Sequence, residues 1–97
     1  MQTNKNPPLV CVCVPTYNAA RTLSETLNSI LAQTYGNISV LVVDNASTDA
    51  TAQLAGAYAA RDPRVKVIRH AENAGGEGNF TRCIRLAGGD YTAIYHS

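Results

Sequence analysis

Two short segments combine apolar strand residues with polar side chains that could bind a ligand. Residues 10–18 read Val-Cys-Val-Cys-Val-Pro-Thr-Tyr-Asn, and residues 40–49 read Val-Leu-Val-Val-Asp-Asn-Ala-Ser-Thr-Asp. Each apolar run leads directly into residues that donate and accept hydrogen bonds. In an open α/β sheet, ligands bind at the carboxyl ends of neighbouring parallel strands. We therefore expect the two polar clusters to form the floor of one pocket.

The residue types in these clusters suit a nucleotide. The ring of Tyr17 can cover one face of a base or ribose. The carboxylate of Asp44 and the amide of Asn45 can pair with the edge of a pyrimidine or with ribose hydroxyls. The structural alternative is that Pro15 only ends a strand, that Tyr17 packs under a loop, and that Asp44 organises a turn. For Pro15 and Tyr17 the residues alone favour neither interpretation.

A glycine-rich loop, Asn-Ala-Gly-Gly-Glu-Gly at residues 73–78, precedes a predicted helix, whose amino terminus would favour an anion. It is not a dinucleotide-binding fingerprint, which would follow the first strand, and no P-loop motif occurs. A Rossmann-type dehydrogenase or methyltransferase is therefore a weaker alternative. In the helix that follows, Arg82 is predicted to be solvated rather than to contact phosphate. Arg69 and Arg85 are predicted to be surface charges.

Hydrophobic patterning predicts the element order β-α-β-α-β-α-β. Continuous apolar, β-branched runs predict strands at residues 9–14, 38–43, 65–69 and 91–95. Strands that alternate with helices predict a parallel sheet with right-handed crossovers and helices on both faces. The fold class predicted is therefore α/β, in one small domain.

Helix boundaries follow from capping residues and periodicity. The first helix is expected to begin with a capping box formed by Thr22 and Glu25 and to stop at Gly36. The second should be capped by Ser47 or Thr48 and run to about residue 60, and the third should run from about residue 78 to 87. The side chains expected to face the core are Leu23, Leu27, Ile30 and Leu31, then Leu54, Ala55 and Tyr58, then Phe80, Cys83, Ile84 and Ala87.

Composition excludes several classes of protein. The 97 residues are 45% hydrophobic and 15% charged, which is typical of a globular domain. The formal net charge is +1 and the basic residues are dispersed, so no nucleic-acid partner is predicted. No apolar stretch is long enough to span a membrane, and residues 1–8, expected to be a disordered tail, lack the apolar core of a secretory signal. These features predict a cytoplasmic location.

The three cysteines, Cys11, Cys13 and Cys83, are predicted to be buried free thiols. Cys11 and Cys13 would share one face of a strand, packed against a helix. A zinc site would need a second pair of ligands, and His70 and His96 lie in unrelated parts of the sequence. No metal site is predicted within the chain.

Several motifs in order resemble those of one enzyme family. They are V-P-T-Y-N at 14–18, L-x-Q-T-Y at 31–35, V-D-N-A-S-T-D at 43–49, D-P-R-V at 62–65, E-N at 72–73 and G-D-Y at 89–91. Over residues 9–97 the chain resembles the amino-terminal, nucleotide-sugar-binding half of a family 2 inverting glycosyltransferase. The resemblance implies a truncated Rossmann-like GT-A sheet.

The resemblance also implies which residues bind the nucleotide. These are Pro15, Thr16, Tyr17, Asn18, Asp44, Asn45, Gly75, Gly76 and Asn79. Many relatives have two consecutive acids where this chain has Asp44 and Asn45, which leaves the base open between uracil and another base. The family's Arg-Asn pair early in the third helix is replaced by Phe80 and Thr81.

For the intact enzyme, the resemblance implies transfer of a sugar from a nucleoside diphosphate donor, expected to be a UDP-sugar, to an acceptor hydroxyl with inversion. The acceptor would be a saccharide or lipid-linked, as in cell-envelope polysaccharide synthesis, and the enzyme could be peripheral at the inner face of the membrane. The ligands of Mg²⁺ or Mn²⁺ and the catalytic base would lie beyond Ser97. The fragment is therefore expected to be inactive, with no catalytic residue of its own.

The alternative, from another class of protein, is a non-catalytic module with the same sheet that binds a nucleotide or serves in assembly. The residues after Ser97 would separate the two, because only the enzyme predicts an acidic pair there. A sheet edge that the rest of an enzyme would cover also predicts self-association of the fragment. A clean monomer in analytical ultracentrifugation at high concentration would contradict that prediction.

Overall fold

The computed structural model describes residues 9–33, 37–86 and 91–95. Its elements are β1 (Val10–Thr16), α1 (Leu23–Leu31), β2 (Ile38–Asn45), α2 (Thr51–Arg61), β3 (Val65–His70), α3 (Gly75–Leu86) and β4 (Tyr91–Ile94). The four strands form a parallel sheet in the order β3-β2-β1-β4. The predicted fold class and element order are confirmed.

The sheet separates two layers of core side chains. Val12 and Val14 face the layer beneath α1 and α2, where Leu23, Leu27 and other apolar residues are buried. Cys11 and Cys13 alternate with them along β1 and face the opposite layer, which holds Leu41, Val43 and Cys83 of α3. Helices therefore cover both faces, as the continuous apolar strands predicted.

The register aligns the polar ends of the strands. Thr16 of β1 lies beside Asp44 of β2, and Asn45 lies beside His70 of β3. Because β1 and β2 are the two central strands, their polar ends meet in the middle of the carboxyl edge of the sheet. Strands β1 and β2 each run two residues further than predicted, so the polar residues Thr16, Asp44 and Asn45 belong to the strands themselves.

The predicted helix caps are wrong. Thr22 precedes α1, but its side chain makes no capping hydrogen bond, because its own backbone is already helical (φ −118°, ψ −15°). Helix α2 begins at Thr51, several residues later than expected. There the carboxylate of Asp49 accepts a hydrogen bond of 2.9 Å from the Thr51 N–H. Gly36, the predicted stop of α1, lies outside the described residues.

The third helix begins three residues earlier than predicted, at Gly75. Its predicted inner face is wrong for Phe80 and Ile84, which are 41% and 50% exposed. Asn79 and Cys83, four residues apart and hence on one face, are the buried pair instead. Ala87 lies outside the described residues.

The three thiols are free and buried, as predicted. The Cys13 thiol donates to the carbonyl oxygen of Cys83 at 3.5 Å. Burial raises the pKa of Cys13 to about 12, with smaller contributions from the neighbouring Cys11 and Cys83 thiols. The Cys13 thiol therefore stays protonated at neutral pH, which fits a packing role rather than a nucleophilic one.

Strands β3 and β4 form the two edges of the described sheet. Self-association through an edge remains a prediction. Across the described ranges, none of the helices combines the length and apolar character that a membrane span requires.

Candidate functional site

A cavity of about 240 Å³ opens at the carboxyl edge of the sheet. Its lining comes from the end of β1, the end of β2 and the first turns of α3, and consists of Pro15, Thr16, Tyr17, Asn45, Gly76 and Asn79. All six belong to the nine predicted nucleotide-binding residues. Asn18, Asp44 and Gly75 are not part of this lining. We call this cavity the edge pocket.

Tyr17 and Gly76 leave the edge pocket accessible. The Tyr17 side chain is 49% exposed although it follows a buried strand, so its ring is available to a ligand. A Cβ atom added to Gly76 would meet no atom within 4 Å. The missing side chain at position 76 therefore leaves space that the packing of the protein does not require. Thr16, in contrast, is buried and its hydroxyl donates to the carbonyl of Val14 at 3.0 Å.

Asn45 is at the edge pocket, but its amide is already engaged within the chain. Its Nδ2 donates to Asn73 Oδ1 at 3.1 Å and to the Gly75 carbonyl at 3.3 Å. Its Oδ1 accepts from the Ala74 N–H at 2.8 Å and from Arg82 at 3.0 Å. These four bonds use both amide hydrogens and both lone pairs of the oxygen. Asn45 therefore fixes the loop that leads into α3.

Arg82 is the member of this network that sequence reasoning missed. One guanidinium nitrogen donates to Asn45 Oδ1 and the other to the carbonyl of Glu72, each at 3.0 Å. The prediction of a solvated arginine is wrong, because the side chain extends toward the amino terminus of α3 and donates hydrogen bonds to Asn45 and to the loop before the helix. The available signal was spacing, since Arg82 lies three residues after Asn79 and hence near the same helix face.

Two glycines allow the tight entry into α3. Gly75 has φ +78°, a left-handed conformation that favours glycine. A Cβ at Gly78 would approach the Cβ of Ala74 to 2.7 Å, which is closer than such atoms can lie. Packing and backbone conformation therefore explain the glycines at positions 75 and 78, whereas no contact with the described residues requires a glycine at position 76.

Asp44 is buried near the carboxyl end of β2 and does not line the edge pocket. The residue is fully buried, and its carboxylate accepts hydrogen bonds from the Ser47 N–H at 3.1 Å and the Ser47 hydroxyl at 2.5 Å. Arg69 Nε lies 3.9 Å from the same carboxylate. Arg69 is 63% exposed, as a surface charge should be, but it faces a buried acid. Contact between Asp44 and a nucleotide remains a prediction.

Asn18 connects the loops that follow β1 and β2. Its backbone adopts φ +46°, which asparagine tolerates better than most residues. Its N–H donates to Ser47 Oγ at 2.9 Å, and its side-chain Oδ1 accepts from the Thr48 N–H at 2.8 Å. Ser47 and Thr48 therefore organise the loop and do not cap the helix as predicted. Asn18 therefore joins the two loops at the carboxyl edge of the sheet. Its contact with a ligand remains a prediction.

A second cavity, of about 470 Å³, lies between the loop after β2 and the end of β3. Arg69 and His70 contribute to its lining with Ser47 and Thr48. This cavity is not predictable from the sequence, because its walls come from a loop and a strand end that are distant in sequence.

The described residues do not fit a divalent metal ion. Within residues 9–33, 37–86 and 91–95, no three side chains of the His, Cys, Asp or Glu type are grouped so that they could hold one. No catalytic step through Mg²⁺ or Mn²⁺ is therefore assigned to these residues.

A parallel sheet with an open pocket at the carboxyl ends of its two central strands is the arrangement in which open α/β proteins bind their ligands. The family model for glycosyl transferase family 2 matches residues 11–97. The chain belongs to this family, which excludes the dehydrogenase and methyltransferase alternative. It is 40% identical over 87 residues to the putative glycosyltransferase EpsE of Bacillus subtilis, covering 89% of this chain and 31% of that protein.

Solved structures show the same fold. A mannosyltransferase of Pyrobaculum calidifontis, in complex with GDP-Man and Mn²⁺, matches 95% of this chain with a TM-score of 0.83 and 32% identity. Residues 1–349 of S. aureus TarS, in complex with UDP, match 91% of it with a TM-score of 0.81 and 33% identity. The chain covers 28% and 27% of those two chains. The Rossmann-like GT-A fold is confirmed, and the chain spans less than a third of these relatives.

Proposed function

We propose that this chain is the nucleotide-sugar-binding half of a glycosyltransferase. The observation that carries the proposal is the edge pocket, where the exposed Tyr17 ring and the space at Gly76 lie at the ends of β1 and β2. Family membership and two relatives whose structures contain a nucleotide or a nucleotide sugar support it. In the intact enzyme, a sugar passes from a nucleoside diphosphate, proposed to be UDP, to an acceptor hydroxyl with inversion.

The described residues supply binding rather than bond breaking. The Tyr17 ring covers the base or ribose, and the backbone at Pro15 and Thr16 approaches the sugar of the nucleotide. The amino terminus of α3 favours an anion at Gly76, whereas the Gly75 N–H already donates to Asn73 Oδ1 at 2.6 Å.

The catalytic base is proposed to lie in the part of the intact enzyme that this chain does not span. A divalent cation is proposed for the intact enzyme, where it would stabilise the charge of the leaving diphosphate. The acceptor, proposed to be a saccharide or a lipid-linked group, would also bind outside the described residues. A non-catalytic nucleotide-binding module would have the same edge pocket. An acidic pair following this sequence would favour the enzyme over that alternative.

The test is an NMR titration of the labelled chain with UDP, GDP, dTDP and NAD, with and without Mn²⁺. We expect one nucleoside diphosphate to shift the amides of Tyr17, Asp44 and Asn45 selectively. We further expect Gly76→Leu to weaken its binding at least tenfold, because the leucine would fill the edge pocket. Stability should not fall, since glycine in a helix costs about 0.5–1 kcal/mol relative to alanine.

Gly56→Leu is the matched control. Gly56 also lies in a helix, with no atom within 4 Å of an added Cβ, but it is far from the edge pocket in α2. The control should bind the nucleotide as the parent chain does. Shifts with NAD alone, or equal binding by the two leucine variants, would contradict the proposed site.

A further inference from the structure

The edge pocket offers few side-chain groups that are still able to bond a ligand. Pro15 and Gly76 have no polar side chain. The Thr16 hydroxyl donates to the Val14 carbonyl, and all four hydrogen-bonding positions of the Asn45 amide are occupied. Of the other lining residues, Tyr17 is aromatic and exposed, and the buried Asn79 has a side-chain amide.

The side-chain amide of Asn79 uses its NH₂ group in a hydrogen bond but not its oxygen. The residue is only 3% exposed, and its Nδ2 donates to the Val43 carbonyl at 2.9 Å. Because a carbonyl can only accept, the NH₂ group must face Val43, and this contact fixes which way the amide points. Its Oδ1 is buried and has no hydrogen-bond partner among the residues that the structure describes.

A buried acceptor without a partner is costly and uncommon. Among the described residues two buried side-chain atoms are in this state, Oδ1 of Asn79 and Nε2 of His70. Asn79 is the one that lines the edge pocket together with Tyr17, whereas His70 lines the second cavity. Because Asn79 lines the edge pocket, a ligand bound there is the group best placed to supply the missing donor.

We propose that Asn79 Oδ1 accepts a hydrogen bond from a donor group of the bound nucleotide, a base N–H or a ribose hydroxyl. This inference rests on the proposed function and adds the residue that determines specificity. Asn79 then distinguishes nucleotides that have the donor from those that lack it, while Asn45 and Arg82 hold the adjoining loop in place. A nucleotide without the donor leaves the oxygen unpaired and binds more weakly.

The experiment edits the ligand rather than the protein, so it does not depend on the folding of a variant. Binding of UDP, CDP and GDP to the chain is compared with binding of analogues methylated at the base N–H donors, and with 2′-deoxy and 3′-deoxy analogues. We expect one edit of the preferred nucleotide to weaken binding about tenfold, which is the effect of one lost hydrogen bond to a buried acceptor. A sensitive base edit identifies the base as the donor, and a sensitive deoxy edit identifies the ribose.

The same comparison on Asn79→Leu gives the second measurement. The leucine has a similar volume and no acceptor, so the edited and unedited nucleotides should bind it equally. If the parent nucleotide binds but no edit changes affinity more than twofold, or if the difference persists in Asn79→Leu, the inference is wrong while the proposed function stands. If none of the unmodified nucleotides binds, the proposed function fails, and this inference with it.

Discussion

Replacing Asn45 with alanine should lower the free energy of unfolding by about 2 kcal/mol, because the buried amide loses four hydrogen bonds at once to groups that are themselves only partly buried or exposed. Those groups are Asn73 Oδ1, the Gly75 carbonyl, the Ala74 N–H and the Arg82 guanidinium. Nucleotide binding should weaken as well, since the loop they hold leads to Gly76 in the wall of the edge pocket. Urea unfolding and the NMR titration measure the two effects.

Two further variants separate the parts of the network. Asn45→Asp keeps the bonds accepted from Ala74 and Arg82 but loses both donated bonds, so it should lose less stability than the alanine variant. Arg82→Met, which keeps the apolar stem, should lose about 1–2 kcal/mol. Arg85→Met is its control in the same helix, where the side chain is exposed, and should change stability by less than about 0.5 kcal/mol. Equal effects at Arg82 and Arg85 would contradict the network.

Replacing Asp44 with alanine should lower the free energy of unfolding by about 3 kcal/mol, a cost typical of removing one partner from a buried charged group. The N–H and hydroxyl of Ser47 lose their acceptor, and Ser47 Oγ in turn accepts from the Asn18 N–H. The substitution therefore disturbs both loops at the edge of the sheet. Thermal or urea unfolding measures the loss.

Asp44→Asn retains one acceptor oxygen and should be milder than the alanine variant. Asp62→Ala is the surface control, because Asp62 pairs with Arg64 at 2.8 Å where both side chains are partly exposed. Such pairs contribute about 1 kcal/mol or less. If Asp44→Ala were no more destabilised than Asp62→Ala, the conclusion that the buried Asp44 carboxylate stabilises the two loops would be wrong.

Periodicity was sufficient to predict the layers of the fold. The continuous apolar runs required strands covered on both faces, and the repeat of Leu23, Leu27 and Ile30 required a buried helix face. Polar residues directly after two such strands also located the edge pocket. Both features follow from local spacing and from the geometry of parallel sheets, so no tertiary contact was needed to infer them.

The starts of the helices could not be predicted in this way. The sequence favours the hydroxyls of Ser47 and Thr48 as helix caps, but in the fold these hydroxyls accept hydrogen bonds from Asn18 in the loop after β1. In α3, hydrophobicity favoured Phe80 and Ile84 as core residues, yet packing on the sheet buries Asn79 and Cys83. Local propensity contains no information on which distant loop or face will meet a side chain.

The sequence by itself determined the α/β order, the two-sided core and the residue types at the carboxyl edge, because these depend on spacing along the chain. Only the tertiary structure decided which of those polar groups remain available to a ligand. Asn45 and Arg82 are 37 residues apart and are joined by a hydrogen bond, whereas Asn79, which lines the edge pocket, retains an unused oxygen. The physical reason is that a buried polar group is defined by its partners, and only folding brings those partners together.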